Sequence, residues 1–436
     1  MFSTINNLVE KNSPKWLYKS LVSDWNKDGF KKYFKNTGWM FIARVVSFIT
    51  SFFTVIFVAR YLGPENLGKL SYAQSLITIF SMFASLGIDH IVYRDLVADP
   101  SREKEILGTA IVTRLFFGSI TFIATVITAS LLNDELILVW LVAITALSFI
   151  FQPLGVVGHV FNARILSKYP SLISIVIALL IPLLKLALIW TSQGILWFAS
   201  IIAIEALVTS TLYVLLYKKV LHGSLQSLSF SWATLKQLTH DSLPLMLVGV
   251  TGYIYVRIDQ VMIQHFIDST SVGLYEAAVR LTEPLGFLPG IIIGSLFPAL
   301  INARKDSPVE YQKRFRFLVI LCLGISFSLA LVLFIFAQQI VNLLYGPEYA
   351  VSASILRIYV WSTVGTVATL LFYHYFIAEN RTYIQLIYTS LSAVLNIVLN
   401  TIFIPLYGIT GAAYATLFTV IFTIIAYTGT WHYTKN

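Results

Sequence analysis

The sequence is poor in charge and almost without cysteine. Only 12% of its 436 residues are Asp, Glu, Lys or Arg, while 57% are hydrophobic. Soluble domains usually carry about 25% charged residues, so a water-soluble fold of this composition would be unable to cover its own surface. The single cysteine, Cys322, sits inside an apolar run, which excludes a disulfide framework and a thiolate metal site. The seven histidines show no metal-ligand spacing. His90, His159, His265 and His374 stand alone and suit satisfied interior positions better than a ligand shell. No glycine-rich phosphate loop is present, which excludes nucleotide hydrolysis by this chain. No polar stretch is long enough for a catalytic domain, and the residues before 37 contain no short apolar core ending in a small-residue cleavage site.

What the sequence does contain is apolar runs of the roughly 20 residues needed to cross hydrocarbon. They fall at about 38–61, 72–94, 106–131, 136–162, 169–191, 194–217, 241–267, 271–301, 316–338, 350–378, 382–405 and 411–433. Turn chemistry separates them at Gly63-Pro64, Asn133-Asp134, Ser192-Gln193-Gly194, Gly346-Pro347 and Tyr407-Gly408. The expected fold is all-α, a polytopic membrane protein of about twelve transmembrane helices. The formal charge of +9 does not indicate nucleic acid, because it is one-sided. Nearly all loop Lys and Arg lie in the N-terminal stretch, in the even-numbered loops and after the last span; the odd loops hold only Arg60 and Lys69. That bias places both termini of an inner-membrane protein in the cytoplasm. Residues 1–36 interleave Lys11, Lys15, Lys19, Lys27, Lys31, Lys32 and Lys35 with Trp16, Tyr18, Trp25, Phe30 and Phe34. This pattern reads as an amphipathic segment on an anionic membrane surface.

The halves resemble one another. Residues 61–76 (YLGPENLGKLSYAQSL) and 266–281 (FIDSTSVGLYEAAVRL) align without gaps, with Gly68 on Gly273, Ala73 on Ala278 and Leu76 on Leu281. Gly194 before span six is echoed by Gly408 and Gly411 before span twelve. Two parallel repeats of six spans follow, a first lobe at 37–217 and a second at 241–436, joined by a polar linker at 218–240. Repeats of this kind belong to transporters that bind cargo between lobes and rock them.

Ionisable groups inside spans cost ~2.5–3.5 kcal/mol each and face cavities or one another. The cations are Arg44, Arg114, Lys185, Arg257, Arg280 and Arg357; the carboxylates are Glu205, Asp259, Glu283 and, nearer the interface, Asp89. Counting from the span ends sets Asp259 level with Arg280, as an ion pair, with Arg257 and Glu283 within about a turn. This quartet either locks spans seven and eight or lines a cavity. Lys185 and Glu205 are offset by about a turn and a half, close enough to pair; alternatively Glu205 takes a coupling proton or cation. Arg44, Arg114 and Arg357 are the least obviously paired, with snorkelling as the alternative for Arg44 and Arg357. The surplus of interior cations suits an anionic cargo, since arginine forks match phosphate oxygens. Span eight carries Pro284, Pro289 and Pro298 with Gly286, Gly290 and Gly294, hinge chemistry on a glycine face.

Residues 35–96 resemble the opening of bacterial polysaccharide flippases, members of the superfamily that includes multidrug/toxin exporters and lipid II flippases. The likeness rests on Ala59-Arg60-Tyr61-Leu62-Gly63-Pro64, Gly68, Ser71-Tyr72-Ala73, Gly87-Ile88-Asp89 and Arg94-Asp95. Tyr255 to Met262 (YVRIDQVM) followed by Gly273-Leu274-Tyr275, Tyr345-Gly346-Pro347-Glu348-Tyr349, and Tyr407 to Ala413 (YGITGAA) continue it to about 420. The resemblance implies a V-shaped pair of six-helix lobes around a cationic cavity. Its cargo would be an undecaprenyl-pyrophosphate-linked repeat unit of O-antigen or a related surface polysaccharide, moved from the cytoplasmic to the periplasmic leaflet. Transport would be coupled to a proton or Na+, with no cofactor, among membrane lipids and beside a glycan polymerase and chain-length regulator. The rival readings are an ion-coupled multidrug/toxin antiporter, which the cationic interior fits poorly, and a membrane enzyme of glycan assembly, opposed by the lack of a large outer loop. Replacing Arg257 or Arg44 by Ala is expected to abolish export while leaving membrane insertion intact. Surface glycan and membrane-fraction immunoblots measure the two outcomes, and full export by both variants would refute the cavity assignment.

Overall fold

In hydrocarbon every backbone donor and acceptor must be satisfied within the chain, so a sequence with this patterning spans the membrane as helices. We describe residues 28–379, 381 and 383–435 of a computed structural model, excepting the side chains of 28–36, 298–299, 302–306, 308, 378 and 433–435. The surface segment expected at 1–36 thus lies outside the described residues apart from its helical backbone from Asp28, as does the side chain of Pro298. No strand occurs among the described residues.

Among the described residues, eleven helical stretches are long and apolar enough to cross a bilayer. The first, Thr37–Ala98, has 62 residues, about three times what one crossing needs. It is two crossings. Helix α1 (Asp28–Ser85) leaves helical geometry at Gly63, with φ 71° and ψ 172°, and resumes at Pro64. Val58 and Leu62 before this break share one buried cluster with Leu70, Tyr72, Ala73 and Leu76 after it. The described residues therefore make twelve crossings, the first starting and the last ending on one face, the terminal face; the other is the distal face.

Helix α2 (Ile88–Ala98) completes the second crossing and α3 (Glu103–Leu132) is the third. The fourth is irregular: α4 (Leu136–Ala146), α5 (Ser148–Phe151), a 3-10 stretch (Gln152–Val157) and α6 (Gly158–Ala163). Helices α7 (Lys168–Trp190) and α8 (Ile195–Val220) end the first lobe. The second lobe comprises α9 (Trp232–Phe266), α10 (Ser269–Asp306), α11 (Pro308–Ile335), the short α12 (Ala337–Leu344), α13 (Ser352–Ala378), α14 (Tyr383–Tyr407) and α15 (Ile409–Lys435). The connection between lobes is helical up to Val220 and again from Trp232, and it is stitched to the first lobe. Arg94 pairs with Asp241 at 2.7 Å, the Arg102 guanidinium donates to Thr234 Oγ1 at 2.8 Å, and the Ser231 amide donates to Thr109 Oγ1 at 3.1 Å.

Lipid is as apolar as the helices, so their association depends on close packing and polar contacts. The outer surface shows large apolar side chains, with Trp190 89% and Leu131 81% exposed. Exposed Trp140, Trp190 and Trp197 stand near helix ends of the distal face, and Trp232 and Tyr383 at the terminal face, as interfacial aromatics do.

The lobes meet at the distal face through the two glycines that the internal repeat pairs. A Cβ on Gly68 would overlap the Ser269 carbonyl and stand 2.8 Å from the Gly273 nitrogen; one on Gly273 would overlap the Pro64 carbonyl and stand 3.0 Å from the Gly68 nitrogen. The contact is reciprocal, as an isologous two-fold contact must be. Tyr349 donates to the Ala59 carbonyl at 2.8 Å, and Arg60 donates to the Leu344 carbonyl at 2.6 Å, satisfying the C-terminal carbonyls of α12.

Helix α10 stays helical through Pro284, Pro289 and Gly290. Pro289 lacks the N–H that would bond the Leu285 carbonyl. Ser326 of α11 supplies the missing donor at 2.9 Å in a buried position, which re-satisfies the freed acceptor.

Gly68→Ala or Gly273→Ala is expected to force the distal crossing apart. Spin labels at Glu65→Cys and Thr270→Cys in a Cys322→Ala chain should report a longer distance, with transport lost and insertion retained; an unchanged distance would refute the steric role.

Candidate functional site

A cavity of ≈ 570 Å³ opens along the first arm of α1, α7, α8 and the middle of α10. Arg44, Ser47, Phe48, Ser51 and Thr54 follow three- and four-residue spacing, so α1 presents them on one face. Thr50 and Thr54 donate to the Val46 and Thr50 carbonyls at 2.8 and 2.6 Å, leaving their oxygen lone pairs available. Phe48 stacks on Phe287 of α10 at 3.9 Å between ring centroids, closing the first-lobe wall against the second. Pro182 of α7 frees the Ala178 carbonyl, and both residues line the cavity.

Four ionisable groups line this space: Arg44, Lys185, Glu205 and Glu283. Arg44 is exposed and stands toward the terminal face; Lys185 lies five residues from the distal end of α7. The pairing expected between Lys185 and Glu205 does not form: no ion pair or hydrogen bond joins them among the described residues. Access to a polar cavity removes the need to pair. The lining is also less positive than the sequence count implies, since two carboxylates face two cations.

The remaining interior cations are held elsewhere. Arg280 bonds Glu276 and Glu283, each at 2.6 Å, and Arg257 stands 3.6 Å from the other oxygen of Glu276, whose side chain is only 2% exposed. Gln260 donates to Glu276 and accepts from Ser75 of α1. The expected Asp259–Arg280 pair is therefore corrected. Glu276, one turn before Arg280 on the same helix, captures the guanidinium, because an i,i+4 neighbour needs no register between helices. The result is a charge-balanced lock joining α1, α9 and α10. A void of ≈ 30 Å³ lies between Lys185, Glu276 and Arg280, and Glu283 belongs both to the lock and to the cavity wall.

Arg114 also falls outside the cavity lining. It bonds Asp89 at 2.9 Å, and His159 approaches the same oxygen at 3.0 Å, tying α3, α2 and α6 together. Arg357 is exposed in the second turn of α13, near the distal face, where snorkelling serves it.

Freed from Arg280, Asp259 occupies a different cluster. Its side chain is buried, and its oxygens accept from Tyr275 (2.5 Å), Thr416 (2.7 Å) and Asn400 (2.7 Å). Asn400 also donates to Asn396 Oδ1 at 3.0 Å. Asn400 Oδ1 and Asn396 Nδ2 are buried without a partner. No Lys or Arg pairs with Asp259 among the described residues. Sequence reasoning passed over Glu276, Gln260, Asn396, Asn400 and Thr416. Glu276 was legible through its spacing to Arg280, and Asn396 with Asn400 as paired amides inside an apolar span.

The model of the polysaccharide biosynthesis protein family matches residues 33–304, and the MatE model matches 244–402. A probable low-salt glycan biosynthesis flippase of Haloferax volcanii is 24% identical over 86% of this chain and 79% of its own. A capsular polysaccharide biosynthesis protein of Staphylococcus aureus is 20% identical over 90% and 98%. Among solved structures, the lipid II flippase MurJ in an inward closed conformation superposes with a TM-score of 0.74 at 16% identity, covering 92% of this chain and 87% of that one. An inward-facing multidrug resistance MATE transporter gives 0.68 at 18% identity over 90% and 98%. These neighbours share the V-shaped exporter fold, and the chain belongs to the polysaccharide biosynthesis protein family.

Proposed function

We propose that this chain flips a polyprenyl-pyrophosphate-linked oligosaccharide, the repeat unit of O-antigen or another surface glycan, from the cytoplasmic to the periplasmic leaflet. The chain is a multi-pass membrane transporter rather than an enzyme. The observation that carries the reading is the first cavity, where Arg44 and Lys185 stand amid a wall of Ser and Thr hydroxyls. A guanidinium fork suits pyrophosphate oxygens and the hydroxyls suit a glycan, while a polyprenyl tail needs only lipid. The Lys and Arg bias supports a terminal face in the cytoplasm of the inner membrane, from which Arg44 would meet the headgroup on the side of synthesis. A glycan polymerase and chain-length regulator would use the product.

The same proposal gives coupling to Asp259. A carboxylate surrounded by hydroxyls and amides, with no basic partner among the described residues, is the environment of an intramembrane ion or proton site. Turning the Asn400 amide would bring its unpartnered oxygen to a Na+ beside Asp259; a proton would bind the carboxylate directly.

A multidrug/toxin antiporter is the second reading. The MatE match at 244–402 favours it, and Glu205 and Glu283 would face cationic drugs. Deleting the gene separates the two. Repeat-unit lipid is expected to accumulate in the cytoplasmic leaflet with loss of surface glycan; normal surface glycan with altered drug sensitivity would favour the antiporter. Asp259→Asn is expected to lower gradient-driven flipping in proteoliposomes by at least about tenfold, ~1.4 kcal/mol in barrier. Comparing an imposed Na+ gradient with a pH gradient identifies the ion, and an undiminished response to both would remove Asp259 from coupling.

A further inference from the structure

The second lobe has a cavity of its own. It measures ≈ 300 Å³ between α9, α13, α14 and α15, and no charged side chain lines it. Apart from Leu370, every lining side chain carries a hydroxyl or an amide. The Tyr255 and Tyr373 hydroxyls and the Gln385 amide have no hydrogen-bond partner among the described residues. A polar space of this size holds on the order of ten waters.

Helix register sets where it leads. Gln385 is the third residue of α14, at the terminal face, and Ser392 is two turns deeper. One further turn reaches Asn396 and the next Asn400, which bonds Asp259. On α9, Tyr255 stands one turn on the terminal side of Asp259. On α15, Thr423 donates to the Thr419 carbonyl at 2.8 Å, one turn short of Thr416, which also bonds Asp259. Three of the four walls therefore run directly into partners of Asp259 or Asp259 itself. Where they converge, the Ser392 and Thr423 hydroxyls bond at 2.7 Å between α14 and α15, which narrows the deep end of the cavity.

We infer that this cavity is a hydrated vestibule through which the coupling cation passes between Asp259 and the terminal face, by a route separate from the cargo cavity. The inference rests on the assignment of Asp259 as the ion site. Uncharged hydroxyl and amide oxygens replace part of a cation's hydration shell, or relay a proton through water, and no Lys or Arg stands in the way. The cargo cavity, by contrast, has Arg44, Lys185, Glu205 and Glu283 on its walls. Cargo and ion thus use different cavities.

The only cysteine, Cys322, is buried, so Cys322→Ala yields a cysteine-free full chain. In that background Ser392→Cys and Thr423→Cys test the vestibule, and Val394→Cys, 60% exposed on the outer surface of α14, is the lipid-facing control. A charged, membrane-impermeant methanethiosulfonate is applied to membrane vesicles of either orientation. Both vestibule cysteines are expected to react roughly tenfold faster from the terminal face than from the distal face, and Val394→Cys from neither. Inert vestibule cysteines in inserted protein, or reaction only from the distal face, would overturn the route. Protection of Ser392→Cys by the host's lipid-linked glycan fraction would assign the cavity to cargo and overturn it too. Loss of the ion site alone is recognised separately, as Asp259→Asn transport that keeps its full response to both gradients.

Discussion

Helices in lipid gain nothing by hiding apolar surface from one another, so the bundle depends on how closely backbones approach and on where polar groups find partners. Both requirements converge on the contact between Gly68 and Gly273. Neither position has room for a Cβ, and the closure of the distal face follows from that fit. Ala73 and Ala278, each fully buried, sit five residues beyond the glycines in both repeats and pack into the buried clusters on either side of the contact. Arg60, Tyr349 and the lock around Glu276 then hold elements already brought together.

Charge is sorted by the same rule. A buried ion must be paired or wet, and breaking a buried pair costs about 3–5 kcal/mol. Arg280, Arg257 and Arg114 are paired and join helices; Arg44, Lys185 and Glu205 are wet and line a cavity. Asp259 belongs to neither group. It is buried among neutral hydroxyls and amides, with no basic partner among the described residues. Charged cavity walls and the lone buried carboxylate thus stand apart, while the lock and the glycine contact connect the two lobes.

Much of the architecture was legible in the sequence. The apolar runs, the turn residues at Gly63-Pro64 and Gly346-Pro347 and the pairing of Gly68 with Gly273 anticipate twelve crossings in two related lobes. Hydropathy and turn chemistry are local properties, and a repeat is visible wherever its residues recur. The candidate site was less legible. Asp259 and Arg280 are level by residue count, yet level positions do not make a pair when Glu276 competes from within the same helix. Counting interior charges also failed to separate Arg114, spent on Asp89, from Arg44, which faces the cavity.

Composition, hydropathy and loop charge by themselves determined a helical membrane protein of two six-span halves with ionisable groups buried in both. Only the tertiary structure decided which of those groups are partners and which are free. It placed Asp259 with Thr416 and Asn400, 157 and 141 positions away, and opened separate cavities in the two lobes. The reason is geometric. A span is encoded within some 20 consecutive residues, whereas partnership depends on the rotation and depth of helices relative to one another, which no single segment specifies.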